Sequence, residues 1–335
     1  MLNPFDNPAF SMTSLTAAIN VLPNNYDRLA KMGLFPDKPQ RFRQIAVEER
    51  NGVLTLLPTQ PPGSPGTVGV RGKRKLRSFS IPHIPHDDAV LPDEVQGIRA
   101  FGSETEIQSV AAVMADHLQT MRNKHAITLE HLRFGALKGE ILDADGSVLY
   151  NLYDEFDITR PTAIKFKFSD ANANIQKTCL DVIRRIEDNL KGERWEGAHC
   201  FVGEDFFDAL TSHPNVKKAY DRWLDGQALR SDMRSAFPFA GITFEEHRGR
   251  AWTGDKTERR FVNAGEGHCF PLGTLDTFAT YYAPADFNET VNTLAQPLYA
   301  KQEPRKFDRG TDLHTQSNPL PICHRPSVLV KVAME

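Results

Sequence analysis

The sequence predicts an α+β protein organised around one very long helix, and three observations predict it. Apolar residues recur at helical spacing from Ser103 to Phe134. The residues before that stretch carry strand signals but little that would build a core. From about Asn172 onward, short strands and amphipathic helices alternate as in a compact mixed domain.

In chain order, residues 1–43 read as an arm. Leu15, Ile19 and Leu22 share one face of a short helix that opens after Ser14 and ends at Pro23. Tyr26 and Leu29 begin another turn or two, closed by Gly33. Helices this short are marginal in water by themselves, so the arm is expected to lie on something. Residues 44–57 read as a hairpin, with Ile45, Val47, Val53, Leu54 and Leu56 around the Asn51-Gly52 turn signal. Pro58 to Gly66 is rich in breakers that hold the backbone extended. Arg71, Lys73, Arg74, Lys75 and Arg77 then place five cations within seven residues. Phe79, Ile81 and Ile84 alternate with polar residues or prolines, as in a half-buried or edge strand. A two-stranded ribbon of this composition has no evident apolar face and no third strand, and such a ribbon is marginal at best alone. It is expected to be ordered by a neighbouring subunit, the alternative being a flexible surface loop.

Ser103 and Glu106 form the S-x-x-E capping pattern that opens the long helix. Ile107, Val110, Ala111, Met114, Leu118 and Met121 follow at spacings of three and four, and Gly135 and Gly139 stand where C-cap glycines belong. About 32 residues at 1.5 Å each make a rod roughly 48 Å long. Ile141-Leu142 and Val148-Leu149-Tyr150 flank Asp143 to Ser147 as a second hairpin, and Ile164, Phe166 and Phe168 alternate with lysines as a strand.

In the compact segment, Ile175, Cys179, Val182, Ile183, Ile186 and Leu190 form a helical stripe closed by Gly192. His199 to Val202 reads as a buried strand, and Glu204 to Leu224 as helix broken at Pro214. Ile242-Thr243-Phe244, Arg260-Phe261-Val262, Thr277 to Ala283 and the final Ser327 to Val332 read as further strands. The last is expected to belong with the long helix.

Composition bounds the function classes. With 335 residues the chain has material for about two domains, and 40% hydrophobic with 25% charged residues is globular. A formal net charge of −3 argues against coating DNA through a basic surface, where affinity comes from neutralised phosphates. Cys179, Cys200, Cys269 and Cys323 form no C-x-x-C pair and read as free thiols in a reducing compartment. No apolar run reaches the length that crosses a bilayer, and no membrane role is expected. His83, His86, Asp87 and Asp88 offer metal-ligand types, but the prolines hold that segment extended, where in-line histidines cannot close on one ion. Asn263 to His268 lacks both a P-loop lysine and a dinucleotide fingerprint. No catalytic, cofactor-binding or metal-binding residue is assigned, and enzymatic activity is not expected. The run Arg71, Lys73, Arg74, Lys75 and Arg77 is assigned to contact between subunits, salt bridging to an adjacent copy being favoured over nucleic acid because interleaved aromatics for stacking are missing.

Several phrases in order carry a resemblance. They are Gly52-Val53-Leu54 through Pro58, Gly63-Ser64-Pro65, Ile81 to Pro85, Asp93 to Ser103, Gly135 to Gly139, and Ser317 to Pro321 followed by Arg325-Pro326. Together they cover nearly the whole chain, which resembles the lambda-type major capsid protein E family of tailed phages. The resemblance implies the Hong-Kong-97-type phage capsid fold: an N-arm at 1–43, an E-loop region at 44–90, and a peripheral domain at 91–170 with the long spine helix at about 103–134. The peripheral domain is joined by the C-terminal 301–335, and an axial domain occupies 171–300. It implies a major head protein that self-assembles into hexamers and pentamers of an icosahedral T=7 capsid around double-stranded DNA, without sequence-specific contact. It further implies a decoration protein, portal and scaffold as partners, a place in the virion, and host cytoplasm during assembly. Lys73 and Lys75 lie where some relatives crosslink, but nothing marks either one. The alternatives are an encapsulin-like cellular compartment and a soluble metal-dependent enzyme using His83, His86 and Asp87.

Overall fold

The computed structural model describes residues 11–21, 28–49, 75–95, 110–221 and 233–335. In chain order the first elements are α1 (Met12–Val21), α2 (Arg28–Lys31), β1 (Asp37–Pro39), β2 (Gln44–Glu49), β3 (Lys75–Ser80), β4 (Ile84–Val90), α3 (Pro92–Val95) and α4 (Val110–Lys138). There follow β5 (Glu140–Leu142), β6 (Val148–Asn151), α5 (Leu152–Glu155), β7 (Ile164–Phe166), α6 (Ile175–Leu190), β8 (Gly197–Val202), α7 (Glu204–Ser212) and α8 (Pro214–Asp221). The remaining strands are β9 (Phe237–Phe239), β10 (Ile242–Glu246), β11 (Arg250–Trp252), β12 (Glu258–Arg260), β13 (Glu266–Leu272), β14 (Phe278–Tyr282), β15 (Tyr299–Pro304), β16 (Thr311–Ser317), β17 (Pro319–Cys323) and β18 (Val330–Met334). They fall into two units interleaved along the chain, one from Met1–Ile45, Ser78–Leu132 and Ala279–Pro321, the other from Ala46–Arg77, Arg133–Phe278 and Ile322–Glu335.

The first unit holds an antiparallel sheet in the order β15-β16-β4 and a second sheet, β1-β14-β17. Val90 and Leu313 of the former join Val113, Met114 and Met121 of α4 in one buried cluster. The helical stripe read from the sequence therefore packs on strands. The arm helix finds the surface it was expected to need within its own chain. Leu15 and Ile19 of α1 are buried against Leu118, Leu298 and Ala300 of the same chain. Thr16 Oγ1 accepts the Ala300 N–H at 3.1 Å, Asn20 Nδ2 donates to the Leu298 carbonyl at 2.9 Å, and the Arg122 guanidinium donates to the Ile19 carbonyl. A ten-residue helix that is marginal alone thus lies on a surface that its own chain supplies.

The long helix is described over 29 residues, and its expected cap at Ser103 and Glu106 lies outside the described residues. It runs through Gly135, where a Cβ would meet the Glu140 carbonyl oxygen at 2.9 Å, and stops at Lys138. Only Gly139, at φ +79°, plays the C-terminal role, and a Cβ there would lie 2.3 Å from the Tyr153 ring.

The second unit is built on a six-stranded mixed sheet, β7-β18-β13-β8-β10-β9. The α6 stripe of Ile175, Cys179, Val182, Ile186 and Leu190 is buried as read from the sequence, and α6 packs on β7, β13 and β18. Phe134, Phe201 and Phe261 form an aromatic cluster with centroid spacings of 5.3 Å from Phe134. The terminal strand β18 lies between β13 and β7, antiparallel to the first and parallel to the second, inside this sheet instead of with the long helix. Cys200 and Cys269, directly opposite in the antiparallel β8–β13 pair, form a disulfide. Only Cys179 and Cys323 remain free thiols, both buried. Burial pushes each of these two thiols up to about 12. The free-thiol reading thus holds for two of the four cysteines, because a separation of 69 residues hides the register that joins the other two.

Candidate assembly interface

The root of the ribbon is fixed by its own chain. β2 and β3 form a separate two-stranded sheet, and the strand expected just past Asn51-Gly52 lies outside the described residues. That turn, Arg71, Lys73 and Arg74 lie outside the described residues, and Lys75 opens β3. Pro82 offers no N–H to a ladder, and the strand expected over Phe79 to Ile84 is split there into β3 and β4.

Arg77 is placed differently from the rest of the basic run. Its Nη2 donates to Asp157 Oδ2 at 3.1 Å, its Nη1 donates to the Glu155 carbonyl, and its guanidinium carbon sits 5.2 Å from the Phe156 ring centroid. The side chain is 11% exposed. Its charge is therefore met within the subunit, which removes it from the set of cations open to a neighbour. The two-residue period carried the signal: Phe79, two positions on, is buried while Ser78 and Ser80 are exposed, so Arg77 shares the inward side of the strand.

The residues of the metal alternative are drawn to separate partners. His83 Nδ1 lies 3.0 Å from Asn318 Oδ1, His86 Nε2 lies 3.0 Å from Lys124 Nζ, and Asp87 reaches His314 Nδ1 at 2.5 Å. Asp88 pairs with His117 Nδ1 at 2.8 Å, and His117 Nε2 reaches Glu94 at 3.1 Å. Among the described residues, no three or more His, Cys, Asp or Glu side chains gather to hold a metal ion. Alternation along β4 sends Asp87 and Asp88 to opposite sides.

One residue that pattern reading passed over is His125, in the middle of α4. Its ring is buried, with Nδ1 2.8 Å from Ser317 Oγ and Nε2 3.0 Å from Thr315 Oγ1. Burial, with His86, His314 and Lys124 nearby, brings its pKa down to about 3. A polar residue at an apolar helical position is the only trace of it in the sequence.

The sequence profile of phage major capsid protein E matches residues 11–334. The chain belongs to the phage major capsid protein E family. It is 29% identical over 362 residues to the major capsid protein of Salmonella phage Felix O1, covering 99% of this chain and 98% of that one. It is 28% identical over 346 residues to the major capsid protein of Pseudomonas phage KPP10, covering 96% of each. Among solved structures it is similar to a prophage capsid protein from E. coli CFT073, with TM-score 0.60, 13% identity and 97% and 99% of the two chains covered. It is also similar to the capsid of cyanophage P-SCSP1u, with TM-score 0.50, 10% identity, and 94% and 90% covered. The fold is that of the Hong-Kong-97-type capsid proteins, mixed helix and sheet. Membership of the family makes the chain a major capsid protein, a structural component of the virion shell built from many copies.

Proposed function

We propose that copies of this chain form the hexamers and pentamers of an icosahedral T=7 head around double-stranded DNA, assembled in host cytoplasm with a portal, a scaffold and a decoration protein. In this reading residues 1–43 are the arm, 44–90 the E-loop region, 91–170 with the C-terminal segment from 301 up to β18 the peripheral domain, and 171–300 with β18 in its sheet the axial domain. The arm helix holds its own subunit together, and the ribbon beyond β2 and β3 is the segment given to a neighbour. What supports this is the two-stranded β2–β3 sheet, which has no third strand among the described residues and is marginal as a free ribbon. Many weak contacts of this kind become cooperative once the lattice closes. The remaining cations Arg71, Lys73, Arg74 and Lys75 supply charge for such a contact, and the mildly acidic chain as a whole lets DNA slide within the container.

Deleting residues 64–74 spares Arg77 and Phe79, which belong to the body of the subunit. The variant is expected to keep its circular dichroism and melting transition while electron micrographs show capsomers without closed particles. Wild-type numbers of closed shells from that variant would refute the role of the ribbon.

A further inference from the structure

Two carboxylates approach one imidazole in the first unit. His117 of α4 has its Nδ1 2.8 Å from Asp88 Oδ2 of β4 and its Nε2 3.1 Å from Glu94 Oε2 of α3. An ionised carboxylate only accepts, so both contacts are hydrogen bonds only when both ring nitrogens carry hydrogen, which is the imidazolium form. A neutral ring has a single N–H, and its bare nitrogen would set a lone pair against the other carboxylate. The two carboxylates are held unequally. Asp88 Oδ1 also accepts the Ala89 N–H at 2.9 Å. Burial works to raise the Asp88 pKa, but the hydrogen bonds from His117 and the Ala89 N–H outweigh it and hold the carboxyl below its usual value. Glu94 has no second side-chain partner among the described residues.

The element that Glu94 belongs to depends on this contact. α3 is only four residues long, too short to be stable by itself, and Leu91, Pro92 and Asp93 are exposed. Among the described residues, the Glu94–His117 contact is the one side-chain hydrogen bond that ties α3 to the rest of the unit. β4 and α4 need no such tie, because Val90, Val113, Met114, Met121 and Leu313 already bury one cluster between them. We propose that His117 is a proton-operated latch: with both ring nitrogens protonated it fastens α3 to α4, and on losing one proton it keeps Asp88 and lets Glu94 go. The ring is 24% exposed, so the proton passes to solvent. The latch is closed at low pH and opens as pH rises through the titration of the ring, opposite in sign to His125, whose buried ring is kept neutral. The groups acting on it are Asp88 from β4 and Glu94 from α3, while Lys124, two turns further along α4, and His86 of β4 act on Asp88. The proton thereby sets whether the connection leading out of β4 is fixed or free to rearrange, with β4 and α4 themselves unmoved.

The test is hydrogen exchange of the full chain as dissociated subunits, read by mass spectrometry between about pH 5 and 9. Amide protection in peptides covering residues 93–95 is taken relative to the unfolded chain at the same pH, and slow exchange of the His117 ring C–H reports the titration of that ring. Protection of 93–95 is expected to fall about tenfold as the ring loses its proton, the effect of one hydrogen bond to a charged group. Glu94→Gln, whose amide can accept from an Nε2–H or donate to a bare Nε2, is expected to flatten the profile. His117→Arg, whose guanidinium can donate to both carboxylates at every pH, is expected to keep protection high throughout. Wild-type protection that does not follow the ring titration would overturn the proposal, as would a fall of the same size in either variant. So would an equal loss of protection in α4 around His117, since the unit would then open as a whole and not at α3.

Discussion

The buried imidazole of His125 makes the stability of the first unit depend on pH, and its size follows from its surroundings. Unfolded, His125 takes up a proton near pH 6.5; folded, it does so only at about pH 3. Between those values the unfolded chain binds more protons, so stability is fully retained above pH 6.5 and is lost as pH falls towards 3. At 1.36 kcal/mol per pH unit, the loss from this one group is about 2 kcal/mol at pH 5 and about 3 kcal/mol at pH 4. The groups facing it are Lys124 from α4, His86 from β4, and His314, Thr315 and Ser317 from β16. The assay is urea unfolding of the full chain as dissociated subunits between pH 4 and 8, comparing wild type with His125→Gln. The glutamine keeps polar atoms near Ser317 and Thr315 but does not titrate. It is expected to cost stability at neutral pH and to close the gap to wild type by about 2 kcal/mol on going to pH 5. Parallel pH profiles for the two proteins would refute the reasoning.

Three further outcomes follow from packing and topology. Ile19→Ala removes a fully buried side chain between α4 and β15, and is expected to cost about 2–4 kcal/mol and to raise hydrogen exchange in residues 12–21. Gly139→Ala forces a side chain into a left-handed position against the Tyr153 ring, and is expected to lower the melting temperature by several degrees while Gly192→Ala, with open space around it, costs less. Serines at Cys200 and Cys269 remove a link that closes a 69-residue loop, worth about 4 kcal/mol in the chain-entropy picture, with the difference from wild type vanishing under strong reductant.

Much of the fold was legible because the signals were periodic. The α6 stripe, the β5–β6 hairpin and the apolar face of α4 each repeat at the spacing of one element, and one element decides them. What stayed hidden was long-range pairing. β2 finds β3 across a long insertion, β18 enters the sheet of a segment far upstream, and Cys200 meets Cys269, all by register that no local pattern records. The arm was read correctly as a short helix in need of a surface, yet Leu118, Leu298 and Ala300 that supply it are distant in sequence. The basic run was visible as charge, whereas the capture of Arg77 by Asp157 needed the backbone turn at Phe156 to be known.

The most direct measurement is a cryo-electron-microscopy reconstruction of particles formed by the expressed chain. Density for residues 50–74 is expected to run from one subunit onto the next within a closed shell. Residues 50–74 folded back on their own subunit, or small fixed oligomers as the end state, would contradict the account.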